Sequence, residues 1–296
     1  VPAVIIFMKE NMNTKVRGRK DLENLSIPFI GEIPQYLSAK KKLGFDKHTQ
    51  SVMKAIVVKE GNRNIINEAF RVLRSNIDFM AGKDSGQNVF MLTSFNPGSG
   101  KSFLAMNIAM SFAIKKKRIL VIDGDLRHGS TSSYVDSPKT GLSDYLGNRV
   151  SDWKEIIVKD EKYDNLHIIP IGTVPPNPTE LLEDGKLATL IEVLRSEYDY
   201  IFIDCPPIDI VADAQIIEKL ADRTVFVVRS GLLDRSMLPE LENIYQEKRF
   251  KNLSVILNGT ESAGGRYGYR YGYRNGYSSY YGNKGKMGGG KWMVIK

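Results

Sequence analysis

The chain has 296 residues, of which 42% are hydrophobic, so it can bury the core of an α/β domain. Its single cysteine, Cys205, excludes an internal disulfide and a cysteine-rich metal site. The apolar run from Val4 to Met8 is far shorter than the roughly 18–20 residues that span a bilayer as a helix. These bounds favour an α/β protein of a reducing compartment such as the cytoplasm.

The net charge of +8 is concentrated at the two ends of the chain. Residues 1–50 carry nine Lys or Arg against five Asp or Glu, and residues 261–296 carry seven against one. An apolar start followed at once by basic residues 15–20 is typical of the cytoplasmic end of a transmembrane helix. We therefore expect a juxtamembrane stub whose N-terminal membrane domain is missing from this fragment; a buried N-terminal strand is the alternative.

The middle of the chain alternates in type. Residues 21–50, interrupted by prolines and glycines, are predicted to form an irregular linker that packs loosely. From Asn62 to Met80, apolar residues recur at steps of three and four, which predicts an amphipathic helix. Beyond it, short apolar runs alternate with helical patterns, which predicts crossovers onto a parallel sheet. The predicted strands are 88–93, 118–122, 165–171, 200–203, 224–229 and 253–257, and the predicted helices are 101–114, 187–197, 213–220 and 238–250.

The loop from Ser94 to Ser102 follows the first of these strands, and its end fits the phosphate-binding pattern G-x-x-x-x-G-K-[ST]. Phe95 stands where the pattern has its first glycine, so the match is partial. The pattern assigns the β and γ phosphates to Lys101 and a Mg²⁺ contact to the hydroxyl of Ser102. A glycine-rich turn before a helix is the alternative. The candidate nucleotide-binding residues in this stretch are Pro97, Gly98, Ser99, Gly100, Lys101, Ser102 and Phe103.

Three aspartates follow two of the predicted strands. Asp123 and Asp125 come just after one buried strand, and Asp204 follows another. Because the carboxyl ends of parallel strands meet at one edge of a sheet, we expect these acids to lie beside the phosphate loop. A lone aspartate at a strand end is often only a cap or a turn residue. Mg²⁺ that carries nucleotide phosphates needs few protein ligands, so Ser102, Asp123 and Asp204 are predicted to hold it.

These stretches carry a resemblance to a known family. The phosphate loop, the stretch hhhhDxDxR that ends at Arg127 and the stretch hhhDxPP that ends at Pro207 resemble the Walker A, Walker A′ and Walker B motifs of bacterial tyrosine kinases, the BY-kinases. Septum-positioning and plasmid-partition ATPases usually have an extra lysine where this chain has Asn96. The segment 172–182 is also similar to a segment of the kinase family. The resemblance covers roughly residues 60–281.

The resemblance implies a P-loop NTPase-like three-layer fold, with a mostly parallel central sheet flanked by helices. It implies an ATP- and Mg²⁺-dependent tyrosine kinase that phosphorylates its own C-terminal tyrosines and regulates exopolysaccharide or capsule synthesis and export at the cytoplasmic face of the inner membrane. A cognate tyrosine phosphatase and the polysaccharide-export machinery are the implied partners. The implied phosphoacceptors are Tyr267, Tyr269, Tyr271, Tyr273, Tyr277, Tyr280 and Tyr281.

The resemblance also implies a ring of identical chains in which one chain phosphorylates the tail of its neighbour. Glu68, Arg71 and Arg74 match the motif E-x-x-R-x-x-R through which these kinases assemble. On an ideal helix the three side chains lie opposite the apolar face, where they are free to meet a neighbour. The alternative is a Glu68–Arg71 pair within one helix, on a solvated face.

Roles within the site are predicted as follows. Lys101 stabilises the transferred phosphoryl group, Asp123 or Asp125 accepts the phenolic proton, and Asp204 orients Mg²⁺ through water. Asn258, by a weaker resemblance to the wider ATPase group, is a candidate contact to the nucleotide base; an ordinary turn asparagine is the alternative.

The chain is accordingly divided into a stub and linker (1–50), a kinase domain (51–262) and a disordered tail rich in Gly, Tyr and Arg (263–296). Arg and Tyr interleaved in a tail can also bind single-stranded nucleic acid. Delivery of a substrate tail to the nucleotide site is the simpler interpretation, so nucleic acid is not an expected partner. A nucleotide-switch ATPase of the partition or septum-positioning type, or a non-catalytic scaffold of polysaccharide assembly, are the competing functions.

Overall fold

The structure, a computed structural model, describes residues 14–36, 55–82, 86–208 and 212–261. These residues belong to one compact unit. The apolar start of the chain and the tail with its tyrosine cluster lie outside the described residues. No helix in the described ranges is long and apolar enough to cross a bilayer.

The described part of the chain forms an eight-stranded sheet. In chain order the strands are β1 (Phe29–Pro34), β2 (Val89–Thr93), β3 (Ile119–Asp123), β4 (Val158–Lys159), β5 (Leu166–Ile169), β6 (Tyr200–Asp204), β7 (Arg223–Arg229) and β8 (Ser254–Thr260). Their order across the sheet is β1-β8-β7-β2-β6-β3-β5-β4. Every neighbouring pair is parallel except β4 with β5.

Seven α-helices accompany the sheet in the described ranges: α1 (Ile65–Ala81), α2 (Lys101–Ala113), α3 (Leu142–Leu146), α4 (Pro178–Glu183), α5 (Lys186–Glu197), α6 (Asp213–Glu218) and α7 (Leu238–Gln246). Side chains of the central strand β2 alternate between two cores. Phe90 and Leu92 lie in the core that includes α1 and α2, whereas Val89 and Met91 lie in the core that includes α5, α6 and α7. The sheet is therefore covered on both faces, and the predicted three-layer α/β fold is confirmed.

The apolar runs form the central strands because both faces of the sheet are covered. All residues of β2, β3 and β6 are buried, so these strands have no polar face, and the alternation typical of half-exposed strands is missing. All six predicted strands are present, with ends that shift by at most three residues. The largest shift is in β8, which continues to Thr260 and so includes Asn258 within the strand.

The expectation that residues 21–50 form an irregular, loosely packed linker is wrong for residues 29–34. They form β1, which pairs in parallel with β8 at the edge of the sheet. Ile30 and Ile33 are buried in the core beneath it. The sequence did not predict this strand because Pro28 precedes it, Pro34 ends it and Gly31 interrupts it. An edge strand tolerates such residues since it needs hydrogen bonds on only one side.

Candidate active site

The phosphate loop connects the end of β2 at Thr93 to the start of α2 at Lys101. Gly98 and Gly100 have φ angles of 75° and 92°, in the left-handed region that disfavours other residues. A Cβ on Gly100 would also lie 2.3 Å from Nδ2 of Asn258. The loop therefore turns successive backbone N–H groups to one side, in front of the positive end of a 13-residue helix. This is the construction of an anion site.

Phe95, at the position of the missing glycine, belongs to the core. It is 3% exposed, and its ring packs edge-on against Phe226 with the centroids 4.9 Å apart. Phe95 is not among the residues with positive φ, so this position does not need a glycine. The departure from the standard pattern thus replaces conformational freedom with an aromatic anchor.

The lysine and the serine that end the loop face the acidic strand ends. Nζ of Lys101 lies 3.4 Å from Oγ of Ser94, which itself donates to the carbonyl of Asn96. The charge of Lys101 and a hydrogen bond from the Ser102 hydroxyl both act on the Asp204 carboxyl. The structure therefore brings the predicted Walker A residues against the predicted Walker B aspartate.

Asp123 and Asp204 are register partners at the ends of the adjacent strands β3 and β6, and both are buried. Oδ2 of Asp123 accepts hydrogen bonds from N (2.6 Å) and Oγ (2.7 Å) of Ser132. Oδ2 of Asp204 accepts one from Oγ1 of Thr131 at 2.7 Å. The Oδ1 atoms of both aspartates are buried and have no hydrogen-bond partner in the described structure.

Burial raises the pKa values of both carboxyl groups. The pKa of Asp123 rises to about 8, because burial and the neighbouring charge of Asp204 outweigh the hydrogen bonds from Ser132. Burial also raises the pKa of Asp204, although the charge of Lys101 and the hydrogen bonds from Ser102 and Thr131 oppose the shift. The pair therefore does not hold two negative charges at neutral pH unless a cation joins it.

The residues present fit a magnesium ion. Two buried carboxylate oxygens without partners and a serine hydroxyl are hard oxygen ligands, and Mg²⁺ that carries phosphates uses few protein ligands. No group of three or more His, Cys, Asp or Glu side chains arranged as a metal site occurs in the described ranges. Because the protein offers only two carboxylates and a hydroxyl, Asp123, Asp204 and Ser102 would hold the ion together with phosphate oxygens and water. The metal assignment stays a prediction.

Asp125 is oriented differently from the other two acids. Its Oδ1 accepts hydrogen bonds from the backbone N–H groups of Arg127 and His128, both at 3.2 Å, and Nδ1 of His128 lies 3.2 Å from both of its oxygens. The carboxylate thus closes its own turn, while its charge also acts on Asp123 and Asp204. All three predicted acids therefore interact at this edge of the sheet, with Asp123 and Asp204 as register partners, and their separate roles stay predictions.

Several residues of the site were not predicted from the sequence. Thr131 and Ser132 orient the two buried aspartates, as described above. Arg127 donates from Nε to Oδ2 of Asp213 at 3.1 Å and from Nη2 to Oγ1 of Thr179 at 2.9 Å, and Thr179 donates to Asp213 Oδ1 at 2.7 Å. This Arg127–Asp213–Thr179 cluster links the loop after β3 to the starts of α4 and α6. Of this cluster, the sequence indicated only Arg127, as the R of the DxDxR stretch, and gave no sign of its buried partner Asp213.

Asn258 lies beneath the phosphate loop. Its Nδ2 donates to the carbonyl of Ser99 at 2.9 Å, and the side chain is buried. The residue therefore supports the loop from β8, two strands away from β2, and is not an ordinary turn asparagine. A contact to the nucleotide base stays a prediction.

The sequence suggested that the side chains of the E-x-x-R-x-x-R motif are free to meet a neighbour. In the structure all three make contacts within the chain. Arg71 pairs with Glu68 within α1 and donates from Nη2 to the Asn62 carbonyl at 2.8 Å. Arg74 donates to the carbonyl of Ser111, in the last turn of α2, at 2.8 Å. The alternative intrahelical pair is thus present, although both of its side chains remain more than a third exposed.

Comparison with known proteins bears on the family to which the chain belongs. A sequence-family profile described as an AAA domain matches residues 87–232. Tyrosine-protein kinase YwqD of Bacillus subtilis is 34% identical over 70% of this chain and 87% of its own length. A Klebsiella pneumoniae relative from a cps region is 34% identical over 89% of this chain, which spans 37% of that relative. The solved kinase domain of the Escherichia coli tyrosine kinase ETK superposes with a TM-score of 0.72 at 28% identity and covers 87% of this chain and all of its own.

Proposed function

The chain belongs to the family of bacterial tyrosine-protein kinases, and from this premise we propose that it transfers the γ-phosphoryl group of Mg-ATP to tyrosines of its own C-terminal tail. The observation that carries the proposal is the buried pair Asp123 and Asp204 at the carboxyl edge of the sheet, with two unsatisfied oxygens next to Lys101 and Ser102. An acidic pair, a cation and a nest of N–H groups are the parts that phosphoryl transfer needs.

The proposed chemistry uses these residues in distinct roles. The N–H groups of the loop and the Lys101 ammonium bind the β and γ phosphates. Bound Mg²⁺ would neutralise charge on the phosphate oxygens. The phenol oxygen attacks the γ-phosphorus, the bond to the bridging oxygen of ADP breaks, and the phenolic proton passes to a carboxylate of Asp123 or Asp125. With Asp123 and Asp204 committed to the cation, the separately held Asp125 becomes the better placed of the two proton acceptors.

The acceptor tyrosines proposed are the seven of the tail, which lie outside the described residues. The tail follows β8 directly in the sequence and holds no acidic residue between Gly264 and Gly290. Each phosphotyrosine adds about −1.5 to −2 charges at neutral pH, so multiple phosphorylation reverses the sign of the tail. That reversal would weaken its attraction to an acidic site on a neighbouring copy.

We also propose that the chain self-associates through α1, so that transfer occurs between neighbours. Ile65, Val72 and Phe79 are exposed on this helix and follow each other at intervals of seven, which places them along one stripe. Arg71 and Arg74 line a cavity of about 370 Å³ together with Lys59 and Lys115. An apolar stripe beside a cationic cavity suits a protein contact. Association with a membrane domain, a tyrosine phosphatase and polysaccharide-export machinery rests on the family resemblance alone.

The test is incubation of the purified full chain with Mg-ATP, followed by separate measurement of phosphotyrosine and released phosphate. Kinase activity requires phosphotyrosine on the tail. Phosphate release without phosphotyrosine would instead identify an ATPase switch, and neither product would identify a scaffold. Lys101→Met should remove the phosphotyrosine signal, because Lys101 supplies the positive charge that the loop pattern assigns to the β and γ phosphates. Lys117→Met, which removes an exposed lysine beyond α2 that is not among the residues lining the cavity at α1, is the matched control and should leave the signal unchanged.

Transfer between chains has its own readout. The inactive Lys101→Met chain, which retains its tail, is mixed with an active chain that lacks residues 263–296. Label on the tail of the inactive chain establishes transfer to a neighbour. If only the unmixed parent chain becomes labelled, transfer is intramolecular and that part of the proposal is wrong.

A further inference from the structure

Arg229 carries a guanidinium group that the chemistry above does not use. The residue ends β7, the strand next to β2, at the same edge of the sheet as the phosphate loop. Its side chain makes no hydrogen bond or ion pair with any residue in the described ranges, although burial of the group lowers its pKa. A half-buried cation without a protein partner is costly, because its N–H donors have given up water without replacement.

The position of this guanidinium is built into the fold. Gly259 lies under it, and a Cβ on that glycine would be only 2.5 Å from Cζ and 2.7 Å from Nε and Nη1 of Arg229. Gly259 also has a φ of 75°, so two features exclude a larger residue there. Nη1 of Arg229 lies 3.9 Å from the Cβ position of Gly100 in the phosphate loop. The glycine therefore provides a platform that holds the guanidinium beside the loop.

The strand order shows which end of a nucleotide would meet Arg229. The loop follows β2, and the acids that would hold Mg²⁺ end β6 and β3, on one side of β2. Arg229 ends β7, and its register partner Asn258 lies near the end of β8, on the other side. A nucleotide whose terminal phosphate faces the acids must direct its remaining parts away from them. Its nucleoside end then lies over β7 and β8.

We propose that Arg229 is a nucleotide-binding residue that contacts the nucleoside end of ATP, the ribose and base, and not the phosphates. The inference rests on the proposed function, since it takes ATP as the ligand. A guanidinium can stack on a purine ring and donate to its ring nitrogens, which satisfies the donors that the protein leaves unpaired. Asn258 donates to the Ser99 carbonyl and is the register partner of Arg229, so it fixes the position of the loop relative to this guanidinium.

Calorimetric binding to the full chain, in the presence of Mg²⁺, tests the inference with three probes: ATP, ADP and inorganic tripolyphosphate. In Arg229→Gln, the dissociation constants for ATP and ADP should rise about tenfold or more, the loss expected for a charged hydrogen-bonding group. The dissociation constant for tripolyphosphate should stay within about twofold of the parent value, because that probe has no nucleoside.

The matched control is Arg223→Gln at the opposite end of β7, where the side chain donates to Gln87. It should leave the affinity for all three probes unchanged. Arg229→Lys keeps the charge and loses the planar guanidinium, so it should weaken ATP binding by a smaller factor than Arg229→Gln. If thermal unfolding shows that the glutamine variant does not fold, the ATP and tripolyphosphate affinities of the lysine variant test the inference instead.

Two results would overturn the inference: unchanged affinity for ATP in the folded variants, or an equal loss for ATP and tripolyphosphate, which would make Arg229 a phosphate ligand. The outcome is separable from the proposed function because binding is measured without phosphotyrosine. A chain that binds ATP through Arg229 and never labels tyrosine would refute the kinase proposal alone.

Discussion

At the scale of single residues, the site combines glycines whose backbone conformation suits the loop with carboxyl groups whose burial costs free energy. Gly98 and Gly100 allow the backbone to curve around an anion, and Asp123 and Asp204 are held in the core without enough donors to satisfy them. Such incompletely paired buried acids destabilise a protein, and they are typical of functional sites. Phe95 has the opposite effect and stabilises the loop, because its ring packs against Phe226 where the standard pattern has a flexible glycine.

Restoring the standard glycine should therefore harm the protein. Phe95→Gly removes a buried ring that packs on Phe226, and we expect the free energy of unfolding to fall by about 3–5 kcal/mol, the cost of deleting a core aromatic side chain. Urea denaturation measures this loss. Phe95→Leu, which retains most of the apolar volume, should lose less. A glycine variant with parental stability and tighter ATP binding would contradict the packing role.

At the scale of elements, the Arg127–Asp213–Thr179 cluster joins three segments around the site. The loop after β3 supplies the arginine, while α6 and α4 supply its partners. The side chain of Asp213 is fully buried, so its charge depends on Arg127 for compensation. The segment 172–182, which resembles a family segment, is thereby attached to the loop that carries Asp123 and Asp125.

Asp213→Asn should reveal that attachment. The substitution keeps the shape but leaves the Arg127 charge without its partner, so the free energy of unfolding should fall by about 1–3 kcal/mol. Glu240→Gln is the control, because Glu240 pairs with Arg249 on the surface at 3.3 Å and should contribute less than about 1 kcal/mol. Equal stability losses in the two variants, by urea denaturation, would refute the special role of the buried cluster.

At the scale of the whole molecule, α1 carries an apolar stripe that the described part of the chain leaves exposed. Its inner residues Phe70, Leu73 and Ile77 are fully buried, whereas the outer stripe leaves Phe79 88% exposed. Arg74 is engaged inside the monomer through Ser111, so the motif contributes to folding as well as to any contact between copies. The apolar stripe is thus a cleaner probe of assembly than the arginines.

Phe79→Ser should weaken self-association without affecting the monomer. Because the ring is almost wholly exposed, the free energy of unfolding should change by no more than about 0.5 kcal/mol. Sedimentation velocity over a range of concentrations should show smaller species than the parent chain. Val174→Ser, at an exposed residue before α4, is the control and should assemble like the parent. Identical distributions for all three proteins would exclude α1 as the contact.

The sequence by itself determined the alternation of strands and helices, the phosphate loop and the identities of its three acids, because these depend on local conformation and on short motifs. Only the tertiary structure decided that Asp123 and Asp204 are register partners, that the Asp125 carboxylate accepts hydrogen bonds from the backbone of its own turn, and that Arg229 lies across β2 from the pair. It also decided that residues 29–34 form β1, since an edge strand is stabilised by its partner and not by its own pattern. Strand order and register arise from packing between distant segments, so no local stretch of sequence contains them.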